Sequence, residues 1–209
     1  MCSRVIGENR ARRALDPSNL SPRISSLLLW GIIEDNEVKI TSMGTLIRTI
    51  AAIALLRRGP QTLPASSFLL YLLLAAHWGT GVLLGLFSLS PAMALLAALA
   101  GTLIMVALVH GLLLMHWLHS RVTQTLSALA GCEVLIGLLG VPLTALFYAG
   151  GGMAELAVLL SLLLLVWNLA VAAHIFRHAL SVSMGIGVLF AIGYILISMS
   201  LSGLIGPAG

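Results

Sequence analysis

The chain has 209 residues, of which 59% are hydrophobic and only 9% charged, with a mean hydropathy of +1.08, against about 25% charged residues in an ordinary soluble domain. So few charges exclude a water-exposed surface over most of the chain, and the net charge of +4 is not gathered into the exposed basic face that nucleic-acid binding needs. Two cysteines, Cys2 and Cys132, are too few for a disulfide framework or a cysteine zinc site.

The charges are segregated. From Gln61 to Gly209 the only ones are Arg121, Glu133, Glu155 and Arg177; nine basic and five acidic residues precede Gln61. The chain therefore divides into a polar N-terminal arm, residues 1–42, a short amphipathic segment, residues 43–60, and a membrane domain, residues 67–203. The arm carries Arg10, Arg12 and Arg13, an Asp16-Pro17-Ser18-Asn19 turn signal and one short apolar run from Leu27 to Ile33, far below the roughly 20 residues that span a bilayer. Its composition predicts a poorly ordered segment or one short helix. It has no apolar core of signal-peptide type, and Met43 offers a second start that would make the arm an upstream artefact.

From Met43 to Arg58, apolar residues Met43, Leu46, Ile47, Ile50, Ile53 and Ala54 recur at helical spacing against Thr45, Arg48 and Thr49, which predicts an amphipathic helix. Gly59-Pro60 stops it. It is expected to lie on the cytoplasmic membrane surface, with Arg48, Arg57 and Arg58 against anionic headgroups; the alternative is a helix packed on the bundle.

Five apolar segments follow, at residues 67–88, 92–118, 122–149, 156–176 and 181–203, each near the length demanded by a hydrocarbon core of about 30 Å. Pro91 and Gly150-Gly151-Gly152 make tight turns and Pro142 is expected to kink the third span. The arm and the loops at Arg121 and Arg177 then share one face of the membrane, whereas the loops at 88–91 and 150–155 and the tail at 206–209 carry no basic residue. The positive-inside rule puts the N-terminus in the cytoplasm and the C-terminus in the periplasm of a bacterial inner membrane. A re-entrant hairpin in place of the first two spans keeps the same charge pattern.

Polar residues inside spans are the candidates for chemistry. On a rise of about 1.5 Å per residue, His77, His110, Glu133 and Asn168 fall roughly 12 to 15 Å from the cytoplasmic ends of four different spans. An ionisable residue at that depth is costly and faces the bundle interior. Glu133 with a His partner is a proton-relay candidate, and the competing reading is interhelical glue worth about 1 kcal/mol per contact. At the cytoplasmic ends, Arg121, His174, Arg177 and His178 form a basic collar. His116 and His119, three apart, and His174 and His178, four apart, each share a helix face, and two such pairs are the number of ligands a tetrahedral zinc takes. Against metal stand the lack of HExxH, of a cysteine partner and of a nearby acid, so no cofactor is expected. Trp78, Trp117 and Trp167 read as belt or core residues, and Gly131, Gly137, Gly140, Gly185, Gly187 and Gly193 as sites of close helix approach. Gly185-Ile186-Gly187 lacks the rest of a dinucleotide loop, and no nucleophile with a base is present.

Arg57-Arg58-Gly59-Pro60-Gln61-Thr62-Leu63-Pro64-Ala65-Ser66 before the first span, with Trp167 and the loop His174-Ile175-Phe176-Arg177-His178-Ala179-Leu180, resembles bacterial members of the Yip-domain group of five-span membrane proteins. The resemblance covers residues 43–205. It implies a helical bundle without enzymatic activity. Eukaryotic members of that group act in vesicle trafficking with small GTPases, but the acidic cytoplasmic motif that would carry such a partner over is missing here. The reading is thus an all-α bundle of five transmembrane helices, a non-enzymatic scaffold or membrane-organising protein whose loops or arm contact a partner or a second copy. The second reading is a small proton-linked transporter or permease subunit using Glu133 with His77 or His110; a zinc-dependent intramembrane enzyme is third.

Overall fold

The computed structural model describes residues 43–205. The expectations for the arm at residues 1–42 and for the tail at 206–209 fall outside them. Within the described residues, those from Arg48 onward belong to one compact unit.

Among the described residues every regular element is helical: α1 (Met43–Ala54), a 3-10 turn (Pro60–Thr62), α2 (Ser67–Gly85), α3 (Pro91–Met115), a second 3-10 turn (His119–Arg121), α4 (Val122–Ala149), α5 (Ala154–Leu180) and α6 (Met184–Ile205). Four of them, α2, α3, α4 with its preceding turn, and α5, are long and apolar enough to cross a membrane. Helix is the form that satisfies each backbone N–H and C=O within its own segment, as hydrocarbon demands. The threonines obey the same rule, because the hydroxyls of Thr80, Thr102, Thr125 and Thr144 each donate to the carbonyl one turn back, on Ala76, Ala98, Arg121 and Gly140 at 2.7 to 2.9 Å.

Local chemistry sets the helix ends. The side chain of Ser66 caps α2 by accepting from the Leu69 N–H at 3.4 Å. Helix α2 stops at Gly85 rather than at 88, and Ser90 stays extended (ψ 154) before Pro91, which opens the next helix, α3. Helix α3 ends at Met115, short of 118, because Trp117 turns into the left-handed region (φ 57). Helix α5 continues through the basic Arg177 and His178, which suit the negative pole of a helix, until Ser181 adopts φ 57. Pro142 lies inside α4, which continues to Ala149.

Helix α4 is the hub, packing on α2, α3 and α5, while α5 packs on α6 and α6 on α3. The core is concentrated at one end of the bundle. In α4 every residue from Thr125 to Cys132 is buried, and in α5 every residue from Val171 to Phe176. Toward the other end α5 exposes Leu159, Leu163 and Val166, the apolar surface that a bilayer covers.

Residues from Arg48 onward explain that asymmetry. Ile50, Ile53 and Ala54 are buried. The thiol of Cys132 donates to the Ile50 carbonyl at 3.8 Å, the Trp167 indole to the Ala54 carbonyl at 2.9 Å, and the Gln124 amide to the Leu63 carbonyl at 3.0 Å. A ring nitrogen of His174 lies 3.0 Å from the Arg58 carbonyl. Passing from Ile50 to Leu63 the partners move from Cys132 back to Gln124 on α4, so the segment follows the bundle axis over about 12 Å. These residues pack along α4 and α5, as in the alternative of a helix packed on the bundle. One cause is a donor for the Ala54 carbonyl, which closes α1 where helix geometry supplies no N–H and which the Trp167 indole satisfies.

Candidate functional site

Three helices bring polar groups together in the bundle interior. Glu133 on α4 is 12% exposed. The Tyr194 hydroxyl of α6 donates to its Oε1 at 2.8 Å, and His77 Nδ1 of α2 lies 3.3 Å from its Oε2. Each carboxyl oxygen thus has its own partner, from a helix on each side of α4. Tyr194 is itself buried and sets its ring against Phe176, centroids 6.0 Å apart. One chemical consequence is a brace that ties three helices through one carboxyl group. Another is a path for a proton, because imidazole, carboxyl and phenol each take and give one.

The other two residues placed at this depth by the sequence are elsewhere. His110 is exposed and Asn168 half-buried, and among the described residues neither bonds to Glu133. Tyr194 was not anticipated. A tyrosine among leucines and isoleucines counts as apolar in a hydropathy window, and only its hydroxyl meeting a carboxyl sets it apart.

Close packing frames the triad. A Cβ at Gly137, one turn beyond Glu133, would come 2.8 Å from the methyl of Thr80 on α2, and one at Gly131 would come 3.1 Å from Ile50. At Gly187 a Cβ would meet the Ala173 carbonyl oxygen at 2.6 Å, so α5 and α6 are in backbone contact there. Gly140, Gly185 and Gly193 have open space instead.

The basic collar lies at the other core feature, the end where α4 begins and α5 ends. Arg121 clamps the α5 terminus through Nη1, which donates to the Ala179 carbonyl at 3.0 Å, the Ser181 hydroxyl at 2.8 Å and the His178 carbonyl at 3.4 Å. The rings of His174 and His178 are 4.5 Å apart. The other histidine pair points away from them: His116 meets Phe190 edge-on at 6.2 Å, and His119 meets Trp117 at 6.3 Å. Among the described residues no group of three or more His, Cys, Asp and Glu side chains gathers as a metal site would. Arg48, Arg57 and Arg58 are exposed.

A cavity of about 430 Å3 opens beside this clamp, lined by Arg121, Arg177, His178, Gln61, Gln124 and neighbouring residues. Two more apolar cavities flank the bundle, one of about 340 Å3 between α4 and α5 near Phe147 and Leu162, the other of about 160 Å3 beside Tyr194 and Phe190. None of the three is lined by Glu133 or His77. The chain matches no family model, and comparisons with curated proteins and with solved structures give no match.

Proposed function

We propose that this is a non-enzymatic, multi-pass scaffold or membrane-organising protein of the bacterial inner membrane, Yip-like in its 57–66 segment and its 174–180 loop. The observation that carries the reading is Glu133, half-buried with a partner on each carboxyl oxygen and bordered by helices in close contact: an arrangement suited to holding three helices in fixed register. Four long apolar helices and a further helix, α6, of 22 residues support five spans. The positions of Arg121 and Arg177 at one end of their helices, with Glu155 in the first turn of α5 at the other, agree with a cytoplasmic N-terminus and a periplasmic C-terminus. The exposed Arg48, Arg57 and Arg58 are assigned to anionic lipid, and the loops to a protein partner or a second copy.

One observation favours a second reading. A carboxyl within 3.3 Å of an imidazole in mid-helix is the pair a proton-linked transporter would use. Cys132, buried and adjacent to Glu133, separates the two. In a Cys2→Ser variant it is the only thiol, and a membrane-impermeant maleimide added to either side of oriented vesicles reports whether water reaches it. A scaffold leaves Cys132 unlabelled from both sides. Rapid labelling from one side would replace the scaffold reading with transport.

A further inference from the structure

The cavity at the start of α4 carries charge that the fold leaves unanswered. Of its lining residues, Arg121, Arg177 and His178 are basic and none is acidic. Between residues 43 and 205 the only acids are Glu133 and Glu155; the first is engaged with Tyr194 and His77 and the second opens α5, at its opposite end. The Arg177 side chain makes no hydrogen bond or ion pair among the described residues. All three bonds of Arg121 use Nη1, so the rest of its planar fork has no partner among them either. The same bonds cover the negative pole of α5, and Gln61, also on the lining, is exposed. Helix α4 begins here with no side-chain cap and no acid in its first turn, so its positive pole adds to the field.

We propose that this cavity is an oxyanion site that takes the phosphate group of an anionic phospholipid headgroup between the guanidinium groups of Arg121 and Arg177. Guanidinium forks match phosphate oxygens in pairs, and a volume of about 430 Å3 lies in the range of small-ligand pockets. The site sits where α4 begins and α5 ends, helix ends that the proposed five-span reading puts at the cytoplasmic headgroups, and its Arg121 and Arg177 are exposed but are not the Arg48, Arg57 and Arg58 assigned above.

The test uses the full-length protein in a neutral detergent, titrated with dioctanoyl phosphatidylglycerol, with dioctanoylglycerol, which lacks the phosphate, and with inorganic phosphate, bound ligand being counted by native mass spectrometry. Arg177→Gln is the main variant because it removes no bond of the fold; Arg57→Gln/Arg58→Gln controls for general surface charge. Phosphatidylglycerol should bind, dioctanoylglycerol should not, and Arg177→Gln should weaken the lipid by roughly tenfold or more, the loss of one charge-assisted contact, while the control variant binds as wild type. Inorganic phosphate binding as tightly as the lipid, with the same Arg177 dependence, would move the assignment from headgroup to free phosphate. Equal binding by wild type and Arg177→Gln, equal weakening in the control variant, or equal binding of dioctanoylglycerol would overturn the site.

Discussion

The indole N–H of Trp167 donates to the carbonyl oxygen of Ala54 at 2.9 Å across 113 residues of chain. The bond ties the end of α1 to the middle of α5, and it holds a carbonyl that helix geometry alone leaves without a donor. Trp167→Phe keeps most of the ring volume and removes the donor. It should lower stability by about 1 to 2 kcal/mol, read as a lower unfolding midpoint in detergent, and proteolysis within residues 55–63 should speed up in parallel. An unchanged midpoint would mean that the carbonyl finds another donor without cost.

The triad yields a coupling energy. Tyr194→Phe removes the donor to Glu133 Oε1, and Glu133→Gln changes the acceptor. Each should cost about 1 kcal/mol, the usual scale for polar contacts between membrane helices. The double variant should cost less than the sum, because the second change has no bond left to break. Strict additivity in a steric-trapping or denaturant-unfolding measurement would show that the two side chains do not stabilise each other.

Alanine at the interfacial glycines should rank by what the new methyl meets. At Gly187 it meets the fixed Ala173 carbonyl at 2.6 Å, at Gly137 a threonine methyl at 2.8 Å, and at Gly140 nothing within 4 Å. Gly187→Ala is expected to be the most harmful, Gly137→Ala intermediate at about 1 to 3 kcal/mol, and Gly140→Ala neutral or slightly stabilising, since alanine favours helix. Thermal melts of the three variants check the order; a Gly140→Ala effect as large as that of Gly187→Ala contradicts it.

Arg121 and Arg177 should separate in the same assay. Arg121→Gln loses a charged donor shared by three acceptors at the α5 terminus and should destabilise by about 1.5 to 3 kcal/mol. Arg177→Gln breaks no bond and should stay within about 0.5 kcal/mol of wild type in lipid-free detergent.

The four long apolar helices and their approximate ends were legible in the sequence because length and hydropathy decide them. Depth was legible too, and it brought His77 and Glu133 to one level. What depth cannot supply is rotation about the helix axis. These helices are apolar on all sides, so no stripe marks the inward face, and His110, at the same level, turns outward. The glycines show the same limit, with Gly137 and Gly187 in contact and Gly140 and Gly185 in the open. The Trp167, His174 and Gln124 contacts left no trace in the sequence, as each is made to a backbone oxygen that any residue type would present. For this reason the amphipathic pattern of the segment after Arg48 does not by itself show its packing along α4 and α5.

The contacts of residues 50–63 also order events in time. Among the described residues, the side chains that reach the carbonyls of this stretch from other helices belong to α4 or α5, and the ribosome makes those helices only after α2 and α3. Insertion of individual helices precedes their association in a bilayer. Residues 50–63 leave the ribosome ahead of the apolar helices but cannot take their final place until α5 is complete, so their docking is a late step of assembly and its completion reports that the helices behind them have packed.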